Sequence, residues 1–126
     1  VMVLEKAWAK VHGGYLNINS GLTREALHDL TGAPCVTYFN DESTDEERWN
    51  IMYTADAQHF IMTAGTMDFT GDGRDVQEEK TGIVGSHAYS MLAAVELVQD
   101  GSRYRVCGHS ENSGSKGVTR LVKLRN

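Results

Sequence analysis

The first apolar positions of the chain recur with the spacing of a helix. Leu4, Ala7, Trp8 and Val11 follow an i, i+3, i+4, i+7 pattern, which places them on one face of an amphipathic helix over residues 2–12. The "HGG" that follows supplies glycines, which readily take the left-handed conformation at helix ends. We therefore predict a first helix that stops at this motif.

Two further helices are predicted before the pattern changes. Residues 23–31 form one of them, because Thr23 is a suitable capping residue and Gly32 a suitable stop. Thr44 and Glu47 have the spacing of a capping box, and they precede a third helix within "RWNIMYTADAQHF".

After this third helix, the segments are typical of strands. "FIMTAGTM" is short, apolar and bounded by turn-forming residues, as expected of a buried strand. After the polar loop "DFTGDGRDVQEEKTG", "HAYSMLAAVELV" predicts a second strand, "QDGSRYRVC" a turn into a third, and "VTRLVKLR" the last. Helices that precede strands favour an α+β fold with a twisted antiparallel sheet over an array of β-α-β units.

Composition and charge limit the class of protein. The 126 residues are 40% hydrophobic and carry a net charge of −5, which suits one domain with no nucleic-acid partner. No apolar run approaches the roughly 20 residues that span a bilayer, and no signal peptide is visible. We therefore expect a cytoplasmic protein without a membrane span. Val1 begins mid-pattern and Asn126 directly follows a strand-like run, so we expect a piece of a longer chain.

The two cysteines give no sign of a metal site or a disulfide. Cys35 and Cys107 lie far apart and lack metal-type spacing. Because secretory signals are missing, we interpret both as free thiols, buried or half-buried, in a reducing compartment.

The polar loop offers a candidate calcium site. Asp68, Thr70, Asp72, Gly73 and Glu79 fall on positions 1, 3, 5, 6 and 12 of an EF-hand loop. Threonine is a poor substitute at position 3, and the preceding segment is strand-like where an EF-hand has a helix. We therefore expect a solvated loop here.

Five histidines occur without a zinc motif. His12, His28 and His59 lie near the ends or faces of predicted helices, where solvated or capping roles suit them. His87 follows the small residues of "GS" and precedes an apolar run, so it is either a polar core residue or a base held at the lip of a sheet. Asn126 ends a strand-like run, where asparagine commonly starts a turn.

Three blocks of the chain resemble the calpain-type cysteine proteases, in the same order. They are "EKAWAKVHGGY", "LTREALHDLTG", and "GSHAYSM" together with "RLVKLRN". In that family a helix motif E-K-A-aromatic-A-K precedes an E-A-L-x-D-L-T-G helix, and G-H-A-Y-S and L-x-R-N segments follow. The blocks span the chain from end to end.

The resemblance implies that residues 1–126 are the second subdomain of a papain-like protease core, with helices followed by a half-barrel sheet. His87 matches the family's catalytic histidine and Asn126 its catalytic asparagine. The family's nucleophile lies in a G-x-C-W segment, which neither Cys35 nor Cys107 matches. The resemblance therefore implies an intracellular cysteine endopeptidase that acts on proteins or peptides and carries its nucleophilic cysteine on an upstream subdomain.

A second reading keeps the fold but not the activity: a calpain-like module that has lost catalysis and serves as a scaffold in a larger assembly. No cofactor is implied for this segment. The family's calcium ligands lie mostly beyond the asparagine, which leaves calcium activation of the full-length protein open. The chain also departs from the family pattern, since Ser86 stands where glycine is usual and residues 33–80 match weakly.

Overall fold

The computed structural model describes residues 2–68, 70–72, 81–109 and 117–126. The chain divides into two compact units, residues 1–38 and 39–126. The assignment of the whole chain to the second subdomain of a protease core stays a prediction.

The first unit is helical. It contains α1 (Met2–Val11), a short 3₁₀ helix (Tyr15–Ile18) and α2 (Thr23–Thr31). Gly13 has φ 84° just after α1, and Gly32 has φ 69° just after α2. The backbone N–H of Gly32 donates to the carbonyl of His28 at 2.7 Å. Both predicted helix ends are therefore confirmed, because each uses a left-handed glycine.

The helix α2 has the predicted bounds, but its cap residue differs from the prediction by one position. Thr23 is the first helical residue, and Leu22 occupies the cap position in an extended conformation with φ −91° and ψ 131°. A leucine side chain has no oxygen to accept a hydrogen bond from the first turn, so the helix begins without a side-chain cap. The proposed capping role of Thr23 is wrong for this reason.

The helix of the second unit has the predicted capping box, and it begins and ends three residues earlier than "RWNIMYTADAQHF" does. This helix, α3, spans Asp45–Ala57, and the hydroxyl of Thr44 accepts a hydrogen bond from the Glu47 backbone N–H at 3.3 Å. In return, the Thr44 backbone N–H donates to Glu47 Oε2 at 2.8 Å. These two bonds form the capping box, and hydrogen bonding from the Thr44 backbone and hydroxyl lowers the pKa of Glu47.

A four-stranded antiparallel sheet completes the described part of this unit. The strands are β1 (Met62–Gly65), β2 (Ala88–Asp100), β3 (Arg103–Cys107) and β4 (Val118–Arg125). The long β2 is central: β4 lies along one edge of it, and β1 and β3 pair with the first and last parts of the other edge. The sheet is open, and with the three helices it confirms the α+β prediction.

The pairing between β2 and β4 is interrupted once. Ser90 and Met91 pair with Arg125 and Leu124, whereas Ala93 pairs with Lys123. Leu92 is therefore an extra residue on β2, which makes the interruption a β-bulge.

The core of the second unit lies between α3 and β2 and contains one buried carboxylate. Trp49 and Ala94 are buried there, and Glu96 is only 8% exposed. The Glu96 carboxylate accepts hydrogen bonds from the Trp49 indole nitrogen at 3.0 Å and from Arg120 Nε at 3.4 Å. Arg120 also forms a two-pronged ion pair with Glu46 at 2.6 and 2.8 Å, and this pairing lowers the pKa of Glu46.

The strand predicted as buried is only partly so. The first three residues of β1 are half-buried, and Phe60 and Ile61, which were included in that prediction, are exposed. The apolar run alone does not distinguish an edge strand such as β1 from a central one. Within the described residues, none of the helices has the length and apolar character that crossing a bilayer requires.

Candidate active site

His87 occupies the turn that leads into β2. The turn contains the buried Gly85 and then Ser86, whose φ of 51° lies in the left-handed region. The Ser86 backbone N–H donates to the carbonyl of Met67 at 2.9 Å, which ties this turn to the segment just after β1. His87 itself is half-buried, and Ala88 begins the strand. The histidine therefore stands at the end of the sheet, as one of the two sequence-based alternatives expected.

Asn126 reaches the same end of the sheet from β4. The strand ends at Arg125, which pairs with Ser90 near the start of β2. Because antiparallel strands place the end of one beside the start of the other, Asn126 lies next to the turn that holds His87. The ring atom Nε2 of His87 lies 2.7 Å from Oδ1 of Asn126. The structure thus brings together the two predicted site residues, which are separated by 39 positions in the chain.

The contact between these two side chains selects one form of the imidazole. An amide oxygen only accepts hydrogen bonds, so Nε2 of His87 is the donor and carries a proton. In the neutral ring the lone pair then resides on Nδ1, which is the nitrogen able to take up a proton. The arrangement can therefore orient a base.

Tyr89 contacts both the ring of His87 and the backbone of the same turn. Its ring is buried and meets the His87 ring edge-on, with 5.1 Å between the ring centroids. Its hydroxyl accepts a hydrogen bond from the Val84 backbone N–H at 2.9 Å. Sequence reasoning missed this residue, although its position two after His87 on a strand puts both side chains on one face.

The other histidines lie elsewhere. His109 Nε2 is 3.1 Å from Asp56 Oδ2, at the side of α3. His59 follows α3 with a left-handed φ of 58°. In the first unit, His12 packs against Trp8 and pairs with Asp29 at 3.5 Å, and His28 is exposed.

Neither Cys35 nor Cys107 forms a disulfide, but the two differ in exposure. Cys107 is buried at the end of β3, where it pairs with Glu96. Cys35 is exposed, so the expectation of a buried or half-buried thiol is wrong for this residue. The reason is local: it lies in an extended stretch after α2 that belongs to no helix or strand.

The calcium-loop candidate lies only partly within the described residues, since Gly73 and Glu79 are outside them. In the described part, the carboxylate of Asp68 accepts hydrogen bonds from the backbone N–H groups of Thr70 at 3.0 Å and Gly71 at 2.8 Å. This is an Asx-type turn, which uses the carboxylate to hold the backbone. Across the described ranges, no group of three or more His, Cys, Asp and Glu side chains is arranged to hold a metal ion.

Comparison with known proteins identifies the family. The sequence profile of the calpain family cysteine proteases matches residues 1–126. The chain is 33% identical over 109 residues to the Arabidopsis thaliana calpain-type cysteine protease DEK1, covering 82% of the chain and 5% of that protein. It is 32% identical over 124 residues to human calpain-14, covering 98% of the chain and 15% of that protein. It is also 32% identical over 91 residues to calpain clp-4 of Caenorhabditis elegans, covering 72% of the chain and 12% of that protein. The chain therefore spans a small part of these relatives, and it belongs to the calpain family of cysteine proteases.

Proposed function

We propose that this chain supplies the catalytic histidine and asparagine of a calpain-like cysteine endopeptidase, with His87 as the acid–base residue and Asn126 as the residue that orients it. The observation that carries the proposal is the 2.7 Å contact between His87 Nε2 and Asn126 Oδ1 at one end of the sheet. Membership of a cysteine protease family supplies the reaction class.

In this proposal Nδ1 of His87 takes the proton from a cysteine thiol. A thiol near its free pKa is mostly protonated at neutral pH, and transfer of its proton to an adjacent imidazole gives the reactive thiolate. The resulting imidazolium then protonates the leaving amine, and the neutral ring later activates the water that releases the acyl group. Asn126 Oδ1 accepts a hydrogen bond from the Nε2–H group in both protonation states, so the ring keeps its orientation throughout.

The nucleophile in this proposal comes from another segment. Cys107 pairs with Glu96, nine positions beyond His87 along β2, which places it roughly 30 Å from the histidine at the rise of an extended strand. Cys35 lies in the other compact unit, and "APCVTY" does not match the family's G-x-C-W segment. We therefore assign the cysteine to an upstream subdomain of a longer protein, with residues 1–126 forming its second subdomain.

The proposed substrates are proteins or peptides, since peptide bond cleavage is the chemistry that these residues serve. Cysteines that form no disulfide suit the reducing conditions of the cytoplasm, where we place the protein. Calcium enters the proposal as a condition to be varied, because the calcium ligands of the family lie mostly beyond the asparagine.

The test uses the full-length protein and a thiol-directed active-site probe of the papain type. The probe is applied under reducing conditions, with and without calcium, and the adduct is located by peptide mass mapping. We expect labelling of a cysteine outside residues 1–126. We also expect His87→Ala to reduce the labelling rate by about a hundredfold or more, as loss of a catalytic base does.

His28→Ala is the matched control, because it removes an exposed histidine of the first unit and should leave labelling unchanged. If no cysteine reacts under either condition, the protease proposal fails, and the inactive scaffold becomes the better account. If only Cys35 or Cys107 reacts and His87→Ala has no effect, the role given to His87 is wrong.

A further inference from the structure

The hydroxyl of Thr66 lies at the centre of the turn that presents His87. Thr66 follows β1 directly and is half-buried. Its Oγ1 accepts a hydrogen bond from the His87 backbone N–H at 3.0 Å and lies 2.6 Å from the carbonyl oxygen of Val84, to which it donates. One hydroxyl therefore joins the first and last residues of the turn 84–87.

Backbone contacts extend this connection. The Thr66 N–H donates to the His87 carbonyl at 2.9 Å, and the Ser86 N–H donates to the Met67 carbonyl at 2.9 Å. The strand β1 is thus continued by two residues that follow the backbone of the turn. These contacts hold the backbone of His87, whereas the contact with Asn126 holds its ring.

The turn needs such support because of Ser86. Its φ of 51° is a conformation in which a side chain crowds the backbone, so a residue other than glycine persists there only when its surroundings hold it. A serine immediately before the histidine therefore makes the turn more dependent on its hydrogen bonds than a glycine would.

We infer that Thr66 is a positioning residue for His87, and that its hydroxyl holds the strained turn in the conformation from which the imidazole reaches Asn126. This inference rests on the proposed function of His87, but it concerns a different residue and a different interaction. Thr66 acts through the backbone of the turn and does not touch the reacting groups.

The substitution that isolates the hydroxyl is Thr66→Val, which keeps the shape of the side chain and removes both its donor and its acceptor. The His87 N–H and the Val84 carbonyl then each lose a partner in a half-buried position. Thr66→Ser restores the hydroxyl and serves as the conservative rescue. Thr63→Val, three positions earlier on β1, controls for loss of a threonine hydroxyl from the same strand.

The first readout is independent of protease activity. The full-length protein is treated with diethyl pyrocarbonate, and acylation of each histidine is followed by peptide mass mapping over a range of pH. We expect Thr66→Val to raise the acylation rate of His87 by about fivefold or more relative to the exposed His28, because the ring leaves Asn126 more often. Thr66→Ser and Thr63→Val should stay near the wild-type rate.

The second readout is turnover of a peptide substrate. We expect Thr66→Val to lower kcat by about tenfold to a hundredfold with little change in KM, because misplacing a catalytic group affects the chemical step. Ser86→Gly in the same background should recover part of the loss, since glycine adopts the left-handed conformation without strain.

Equal acylation of His87 in wild type and Thr66→Val would overturn the inference, as would Thr66→Ser being as impaired as Thr66→Val. If the protein shows no protease activity, the acylation readout still tests Thr66, so the two proposals fail separately.

If Thr66→Val does not fold, the rate at which His87 is acylated in Thr66→Ser and in Ser86→Gly decides the matter. A wild-type rate in Thr66→Ser, with a slower rate in Ser86→Gly, supports the inference, and any other pair of rates overturns it.

Discussion

The indole nitrogen of Trp49 donates a hydrogen bond to the buried carboxylate of Glu96, 3.0 Å away, and so ties α3 to the central strand of the sheet. The two residues are 47 positions apart in the chain. Their contact closes the core over the same sheet whose end carries His87 and Asn126.

Removing this donor should destabilise the protein. Trp49→Phe leaves the buried Glu96 carboxylate short of one hydrogen bond and a smaller ring in the core. We expect a loss of about 2–4 kcal/mol in the free energy of unfolding, measured by urea denaturation. Trp8→Phe, in the first unit, is the comparison. Equal losses in the free energy of unfolding of the two variants would show that the hydrogen bond to Glu96 adds nothing to the effect of the smaller ring.

The capping box at the start of α3 gives a second stability prediction. Thr44→Ala removes the oxygen that accepts from the Glu47 N–H, and we expect a loss of about 1 kcal/mol in the free energy of unfolding. Thr44→Ser should keep most of the stability. Thr54→Ala, on the exposed side of the same helix, should be neutral or slightly stabilising because alanine is the better helix former. A Thr44→Ala variant with an unchanged free energy of unfolding would contradict the capping role.

The ion pair between Glu46 and Arg120 makes part of the stability depend on pH. The hydrogen bond from Arg120 lowers the pKa of Glu46 below its ordinary value of 4.5. The folded state therefore holds this proton less tightly than the unfolded state. The stabilisation is complete above pH 4.5 and is lost as the pH falls through the lowered pKa.

Glu46→Gln should therefore reduce the acid sensitivity of folding. We expect the variant to be less stable than wild type near neutral pH, with the difference shrinking below pH 4.5, as measured by urea unfolding at a series of pH values. Glu42→Gln, an exposed carboxylate ahead of α3, is the control. If the free energies of unfolding of wild type and Glu46→Gln changed with pH in parallel, the contribution of the ion pair to acid sensitivity would be ruled out.

Asn126 offers a test of orientation as distinct from proton transfer. Under the proposed function, Asn126→Ala should lower kcat by about a hundredfold, because the imidazole loses the acceptor that orients it while its basic nitrogen remains. Asn126→Asp keeps an acceptor oxygen and should retain more activity than the alanine variant. The order of the two variants in steady-state kinetics decides the point, and an alanine variant with undiminished kcat would contradict the assignment.

Much of the fold could be predicted from local pattern. The capping box, the glycine stops and the bounds of β4 depend on residues close together in the chain, and the structure confirms them. The exposure of Cys35 and the edge position of β1 depend on which segments cover them, so local pattern did not reveal them. For the site, position alone left His87 ambiguous, and only family resemblance singled it out. Thr66 lies 21 positions before His87 and matches no motif, so its contact with the turn needed the structure.

The bulge at Leu92 provides a test of the sheet's geometry. Deleting Leu92 should leave a folded sheet, because the β2 residues on both sides of it can keep their partners on β4. It should also keep His87 beside Asn126, because Leu92 has no counterpart on β4 in this pairing, and probe labelling of the upstream cysteine should therefore continue. Leu92→Ala, which keeps the residue count, should label normally, and far-ultraviolet circular dichroism checks that both variants fold. Loss of labelling in a folded deletion variant would contradict this expectation and show that the bulge itself shapes the site.

The alternation of side chains along β2 explains this expectation. Beyond the bulge, even-numbered β2 residues face the even-numbered residues of β4, as the contact between Glu96 and Arg120 shows. Before it, the odd-numbered His87 shares a face with the even-numbered Asn126. His87 and Glu96 are nine positions apart, an odd number, so a regular strand would place their side chains on opposite faces, and the extra residue at Leu92 returns them to the same face. The bulge therefore places the candidate site and the core carboxylate on one side of the sheet, although the number of positions that separates them would set them apart.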